Sequence, residues 1–333
     1  MQPKNGSLLA PWVTIQLIHI SFQIMNLPIV SVVGSFAVGM TLRTDRMPIF
    51  GETLLGSDFD MGPGGKGSNQ AVAAARLGAE AHFIGLIGDD KLGAIAIDLY
   101  KTEGVHIDWL KQTKQAATGV GFIILNQEGR NGIILDMGAN KLLDRAFVRQ
   151  TERQLAASDV VLTVLEIPVE AAAEGLSLGR KHGAKTILNP APAAPLPDDL
   201  LRNVDLVTPN ETELRILMGL QPDDPAPSSQ LARELRQRFG CTVIVTRGEH
   251  GLLILDETGE VEIPAVPVEV TDTTGAGDAF NAALAVALAE SKDLRTAAQF
   301  ACCAGALACT RLGVIPGLAR RDTVDALYRK HFQ

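Results

Sequence analysis

The chain has 333 residues, 46% of them hydrophobic and only 5% aromatic, and 30 Lys and Arg against 38 Asp and Glu give it a formal charge of −8. That length is enough for one large core or a core with a small appendage, and the composition excludes a disordered or fibrous chain. The acidic balance excludes a general polyanion binder, so nucleic acid is not an expected partner. A small anion has to be met by backbone dipoles, a few Lys or Arg, and a metal ion.

Taken in chain order, the first apolar stretch, Leu8 to Met25, is broken by Pro11, Gln16, His19 and Gln23, and only Lys4 precedes it. It is a poor membrane span and a poor signal peptide. Residues 1–28 therefore read as an N-terminal extension, with Met25 an alternative start, and no membrane partner is expected. Ile29 to Val33 is a β-branched run ending at Gly34-Ser35, as in a buried strand of a parallel sheet. The stretch Gly51 to Gly56 and the alternation over Gly119 to Asp136, broken at Asn126 to Gly129, read as hairpins. Segments of about 38–58 and 117–138 are thus expected to form a small separate sheet, a lid.

Between them Gly62-Pro63-Gly64-Gly65-Lys66-Gly67-Ser68-Asn69 leads into a helix expected over Gln70 to Leu77. The glycine spacing imitates a dinucleotide fingerprint, but Ser57-Asp58-Phe59-Asp60 is too polar to be the strand that fingerprint needs. Gly65-Lys66 imitates a phosphate loop, but Gly67 stands where a Ser or Thr would hold magnesium. What remains is a bare turn with one Lys and one Asn, able to bind a polyol or simply to open a helix.

Strands are then predicted at His82 to Ile87, Asp159 to Leu165, Lys185 to Asn189, Val204 to Thr208, Thr242 to Thr246 and Leu252 to Leu255, with helices between most of them. That pattern is a doubly wound, mainly parallel α/β sheet flanked by helices, occupying 29–333. Ligands of such sheets bind beyond the carboxyl ends of the strands. The polar residues there are Glu166, Asn189, Asn210 with Glu213, and Thr246 with Gly248. Cys241, Cys302, Cys303 and Cys309 have no metal-ligand spacing and read as reduced packing residues of a cytoplasmic protein.

Near the end of the chain, Asp272-Thr273-Thr274-Gly275-Ala276-Gly277-Asp278 runs into an apolar helix expected over Ala276 to Ala289. The first N–H groups of a helix lack intrahelical partners and carry partial positive charge, so bare glycines there make an anion hole. A carboxylate in that first turn, Asp278, is placed to take a proton from a hydroxyl that attacks a phosphate. The plainer alternative is a first-turn acid with Asp272 or Thr274 as N-cap.

From about Ile29 onward the chain resembles the ribokinase-like carbohydrate kinases. The resemblance rests on Gly64-Gly65-Lys66-Gly67-Ser68-Asn69-Gln70-Ala71, Asn189-Pro190-Ala191-Pro192-Ala193, Thr208-Pro209-Asn210-Glu211-Thr212-Glu213 and Asp272 to Asp278, in that order. It implies transfer of the γ-phosphoryl group of ATP to a sugar hydroxyl, Asp278 as the base, and the amides of Gly275, Ala276 and Gly277 on the moving phosphoryl group. Gly64, Gly65, Lys66, Asn69 and Glu166, with Asp278, would hold sugar. Asn210, Thr246, Arg247, Gly248, Gly251, Gly277 and Cys302 would line the nucleotide site, and Glu213 would organise Mg2+ through water. Asp272, Thr274, Ala308, Gly313 and Gly317 would hold a monovalent cation, K+. Within the family, the glycine turn and the Asn-Pro-Ala-Pro-Ala segment resemble ribokinase and deoxyribokinase more than fructokinases or adenosine kinases.

Three departures bear on substrate and nucleotide. Gly39 stands where the resemblance implies a sugar-binding Asp, Ala37 where it implies an Asn, and Cys302 where it implies an Asn or His. The leading expectation is a kinase of a pentose or related small sugar. The alternatives are a nucleoside kinase, with Phe36, Ala37 and Val38 against an apolar base, or a sugar-binding regulatory protein without turnover. A homodimer through the lid is expected from apolar strands such as Phe122 to Leu125.

Overall fold

The computed structural model describes residues 27–126 and 131–333. Most of the expected N-terminal extension, and the expected break at 127–129, lie outside the described residues. Among the described residues no helix is long and apolar enough to cross a membrane.

The described strands form two sheets. Thirteen segments contribute: β1 (Ile29–Val33), β2 (Ala37–Arg43), β3 (Ser57–Gly64), β4 (Glu80–Gly88), β5 (His106–Thr113), β6 (Gly119–Leu125), β7 (Asn131–Asp136), β8 (Val160–Val164), β9 (Lys185–Asn189), β10 (Leu206–Val207), β11 (Thr242–Thr246), β12 (Leu252–Asp256) and β13 (Gly259–Ile263). The large sheet runs β13-β12-β11-β10-β9-β8-β1-β4-β5 and is parallel except for the β11-β12-β13 edge. From β1 the chain builds outward through β4 and β5 on one side, and from β8 through β11 on the other. The gap beyond the carboxyl ends of β1 and β8 is therefore the topological switch point, where such folds keep their ligands.

Side-chain alternation divides the apolar residues between the two faces of this sheet. Val30 and Val32 of β1 join a cluster with Phe83, Leu284 and Phe300, whereas Val33 joins a second cluster with Ile84, Val161 and Leu176. The helix Ala276–Ala289 is buried continuously from Asp278 to Ala287, so the helix that carries the anion turn is a central strut of the first cluster. Its bounds are those predicted from its all-round apolarity.

The small sheet is β3-β2-β6-β7, with β2 and β6 parallel and the outer pairs antiparallel. It differs from expectation in its second segment. Gly51 to Gly56 connects β2 to β3 and is no strand, while Ser57–Gly64, read as too polar, is one. An edge strand needs no apolar run, because water solvates its outer side. The dinucleotide reading still fails, because β3 lies antiparallel in the lid and not in a βαβ unit. The helix after the glycine turn begins at Lys66, four residues before the predicted Gln70.

Candidate active site

The end of β1 meets the start of the Lys66–Arg76 helix. Gly65 is the N-cap at φ 90°, and a Cβ there would lie 2.8 Å from the Ala37 nitrogen, so this position requires glycine. With no side-chain cap of its own, the helix is capped from β8's end: Glu166 Oε2 accepts from Lys66 N at 2.8 Å and from Ser35 Oγ at 2.6 Å. A carboxylate at a helix N-terminus satisfies an orphan donor and faces the positive end of the dipole. This contact spans the switch point and brings Lys66 and Glu166 together.

Three residues into the same helix, Asn69 donates from Nδ2 to Asp278 Oδ2 at 2.8 Å. Gln70 donates from Nε2 to Asp278 Oδ1 at 3.1 Å and to Asn189 Oδ1 at 3.0 Å. An ionised carboxylate only accepts, so both amides turn their NH2 groups toward it. Asn69 Oδ1 and Gln70 Oε1 are then left buried without a partner in the protein. Such an oxygen costs about 1–3 kcal/mol unless a ligand or water meets it.

Asp278 is 5% exposed, and burial pushes its carboxyl above the usual carboxylate range against the pull of Lys66 and the two amides. Burial works against the Lys66 ammonium too, but Asp278, Glu166 and Glu213 outweigh it and raise its pKa. The helix behind Asp278 is anchored at its next turn, where Asn281 donates to Gly277 O at 2.8 Å and accepts from Thr208 Oγ1 at 2.6 Å.

In the anion turn the two glycines have different reasons. Gly275 sits at φ 84°, and a Cβ would strike Val314 Cγ1 at 2.6 Å; Gly277 faces nothing within 4 Å. The Ala276 N–H already donates to Thr273 O at 3.3 Å, a long bond that an anion can displace.

Several of the residues expected to hold a monovalent cation also lie together. Asp272 Oδ1 accepts from Thr274 N and Oγ1 at 2.9 and 2.6 Å, and Oδ2 from Gly313 N at 3.0 Å. Gly317 lies against Ala308 O, 2.8 Å from where its Cβ would be. Hard oxygen donors of this kind suit a monovalent cation.

Asn210 and Glu213 form a reciprocal capping box at 2.8 and 2.9 Å on the helix Glu211–Leu217. Burial lifts the Glu213 carboxyl's pKa, opposed by its bond from Asn210 and by Lys66. Thr246 is bound beside Asn210 through its N–H to Pro209 O at 2.9 Å. Arg247, by contrast, donates to Glu262 at 2.8 Å and to backbone carbonyls of the β12 turn. Gly251 is required there because a Cβ would lie 2.1 Å from Ile263 O. The local hairpin accounts for both residues. Cys302 is half-buried, its thiol pushed up to about 12 by burial, so it is a neutral apolar group.

Gln70, Ser35, Thr208 and Asn281 complete this network with Asn189; only Asn189 was picked out from the sequence, as a polar residue at a strand end. The available signal was Gln70's place one residue after Asn69, on a helix whose partners only the fold reveals. Phe36 and Val38 are fully buried in the core, Phe36 6.2 Å from the Tyr100 ring. They cannot face a nucleoside base, which corrects that expectation.

A doubly wound sheet, an anion turn and a buried carboxylate at its first helical turn define a phosphoryl-transfer site. The family model for the pfkB family carbohydrate kinases matches residues 29–320. The chain belongs to that family and is a sugar kinase. It is 38% identical over 298 residues to the Bacillus subtilis ribokinase, covering 90% of this chain and 98% of that one. It is 34% identical over 285 residues to the deoxyribokinase of Salmonella typhi, covering 85% and 93%. Among solved structures, the Arabidopsis thaliana ribokinase complexed with ribose and ATP superposes with a TM-score of 0.85 at 30% identity, over 91% of this chain and 99% of that one.

The two glycines of the turn are separable by experiment. Gly275→Ala is expected to lower the melting temperature, since a left-handed residue with a Cβ costs roughly 1–2 kcal/mol before the Val314 clash. Gly277→Ala should leave the melting temperature nearly unchanged while reducing kinase turnover. Equal melting temperatures for both variants would overturn this division.

Proposed function

We propose that the chain transfers the γ-phosphoryl group of ATP to a hydroxyl of a pentose or related small sugar, with Asp278 as the base. The observation that carries this reading is the placement of Asp278. Its carboxylate is buried, held by two amides, and one residue beyond the glycine whose surroundings are open. As the sugar oxygen forms its bond to phosphorus, its proton passes to Asp278 while the bond to the ADP oxygen breaks and the electron pair leaves with ADP. The Gly275, Ala276 and Gly277 amides would meet the charge on the moving group. The ribokinase and deoxyribokinase relatives, and ribose and ATP in the Arabidopsis structure, support the two substrates.

The free oxygens of Asn69 and Gln70, with Lys66 and Glu166, offer hydrogen bonds to a polyol. Asn210, Glu213 and Thr246 would meet the ATP phosphates and their Mg2+, since their oxygens suit a hard ion that keeps much of its water. Such an ion supplies charge neutralisation when bound. Asp272 and Thr274, with the Ala308, Gly313 and Gly317 carbonyls, would hold K+. A reduced, cytoplasmic setting suits the four free thiols.

The lid departs from a diol-binding surface. Ala37 and Gly39 stand on the strand face opposite Val38, and Gly39 is paired with Gly62 on one side and Gly121 on the other. A Cβ at Gly39 would meet only Ile123 Cδ1 and Gly62 O, at 3.5 and 3.8 Å, and one at Gly62 nothing. This row has room and no polar side chain, so it favours an acceptor that is deoxygenated or bulkier where it faces the lid. Met61, Phe122 and Ile134 are exposed on one lid face and Ile133 and Leu135 on the other, which supports a homodimer through the lid. Light scattering should give twice the chain mass; a monomer mass overturns the dimer.

Asp278→Asn is expected to lose roughly 10²–10⁴ of kcat in an ADP-release assay without losing thermal stability, since a buried charge is removed. Retained turnover would remove Asp278 from the role of base. Because Lys66 favours the charged carboxylate, Lys66→Gln should move the acidic limb of the pH profile of kcat/KM to higher pH. An unmoved limb would contradict the coupling.

Across a panel of pentoses, deoxypentoses, hexoses and nucleosides, wild type should separate ribose from 2-deoxyribose weakly. Gly39→Asp should favour ribose by about tenfold in kcat/KM, as a buried hydroxyl gains an acceptor. An unchanged ratio would mean that Gly39 does not face the sugar.

A further inference from the structure

The amino ends of β4 and β5 lie at the opposite end of the sheet from the switch-point site, and they carry side chains that phosphoryl transfer does not use. Glu80 and His82 are two residues apart on β4, and a strand's alternation puts both on one face. His106 of β5 is paired in register with His82, so it stands beside it on that face. The two imidazole rings stack at 4.6 Å with 20° between their planes, and His82 Nε2 shares a hydrogen bond of 3.0 Å with Glu80 Oε1. One donor atom from each of the three residues lies within 4.8 Å of the others.

We propose that Glu80, His82 and His106 form a binding site for a divalent first-row transition ion such as Zn2+. Two donors spaced by two on one strand, with a third from the residue opposite, make a three-point chelate that leaves a position for water. Two imidazoles and one carboxylate suit Zn2+, Co2+ or Ni2+ and suit Mg2+ or Ca2+ poorly. The ion takes the place of the proton between His82 and Glu80, and a ring nitrogen of His106 supplies the third bond. Bonds of about 2.0–2.1 Å in a tetrahedral site set the donors roughly 3.3 Å apart. The group must therefore close from its present spacing. His82 is 7% exposed and fixed by its packing, whereas His106 is exposed and can turn toward it.

The consequence for the fold is local. β5 is the outer strand of the large sheet on this side, and an ion held by residues of both β4 and β5 ties that edge strand to its neighbour. Binding to the folded chain alone raises stability by mass action.

The test is a calorimetric titration of the full, tag-free, reduced chain with Zn2+ in the absence of nucleotide. One ion per chain is expected, with a melting temperature that rises with Zn2+. His106→Ala and Glu80→Gln should each weaken binding by about tenfold or more, while turnover with Mg-ATP stays at the wild-type level in both. Glu80 is half-buried and His106 exposed, so the variants keep the packing that His82 supplies. With Co2+ in place of Zn2+, the visible spectrum should show nitrogen and oxygen ligation without a thiolate charge-transfer band. No Zn2+ uptake, unchanged affinity in both variants, or a thiolate band from the cysteines would each overturn the site.

Discussion

One buried carboxylate sets the terms for the rest of this molecule. Asp278 sits where burial opposes charge, and it is held there by donors that arrive from a helix more than two hundred residues earlier in the chain. Amide donors and the nearby Lys66 ammonium favour the ionised form; burial favours the neutral one. A carboxylate held between these influences requires that neither helix move. The two apolar clusters meet that requirement, because the Ala276–Ala289 helix is enclosed along most of its length.

The same demand explains the network behind the site. Gln70 links Asp278 to Asn189 at the end of β9, and Asn281 links the Ala276–Ala289 helix to Thr208 just after β10. On the other side, Glu166 joins the ends of β1 and β8 through Ser35 and the Lys66 amide. Strand ends far apart in sequence are thereby fixed to one another around the crevice. Sugar and nucleotide would approach a rigid floor, while the lid above is attached through the short segments that leave β1 and β5, that enter the Lys66–Arg76 helix, and that follow β7.

Several glycines that look equivalent in sequence have unrelated causes. Gly65 and Gly275 answer to positive φ and close backbone or Val314 contact, and Gly251 to the Ile263 carbonyl. Gly39 and Gly62 answer to nothing in the chain, since a side chain at either would meet little or no obstruction. Glycine without an internal cause in a strand leaves a place where something else can come close.

The parallel sheet, the buried helix at Ala276–Ala289 and the residue types of the anion turn were legible in the amino-acid order. Those depend on local periodicity and on the properties of a helix end, which a short stretch carries within itself. Local pattern misjudged Ser57–Gly64 and passed over β5 and β13. These are edge or lid strands, solvated on one side, and their mixed polarity carries no run to read. The folded chain alone shows that Gln70 and Asn69 orient Asp278, that Arg247 bonds within its own hairpin, that Phe36 and Val38 belong to the core, and that Glu80, His82 and His106 meet. Each of these depends on which side chains from distant segments face one another, and that follows from strand order and register, which no local stretch of sequence encodes.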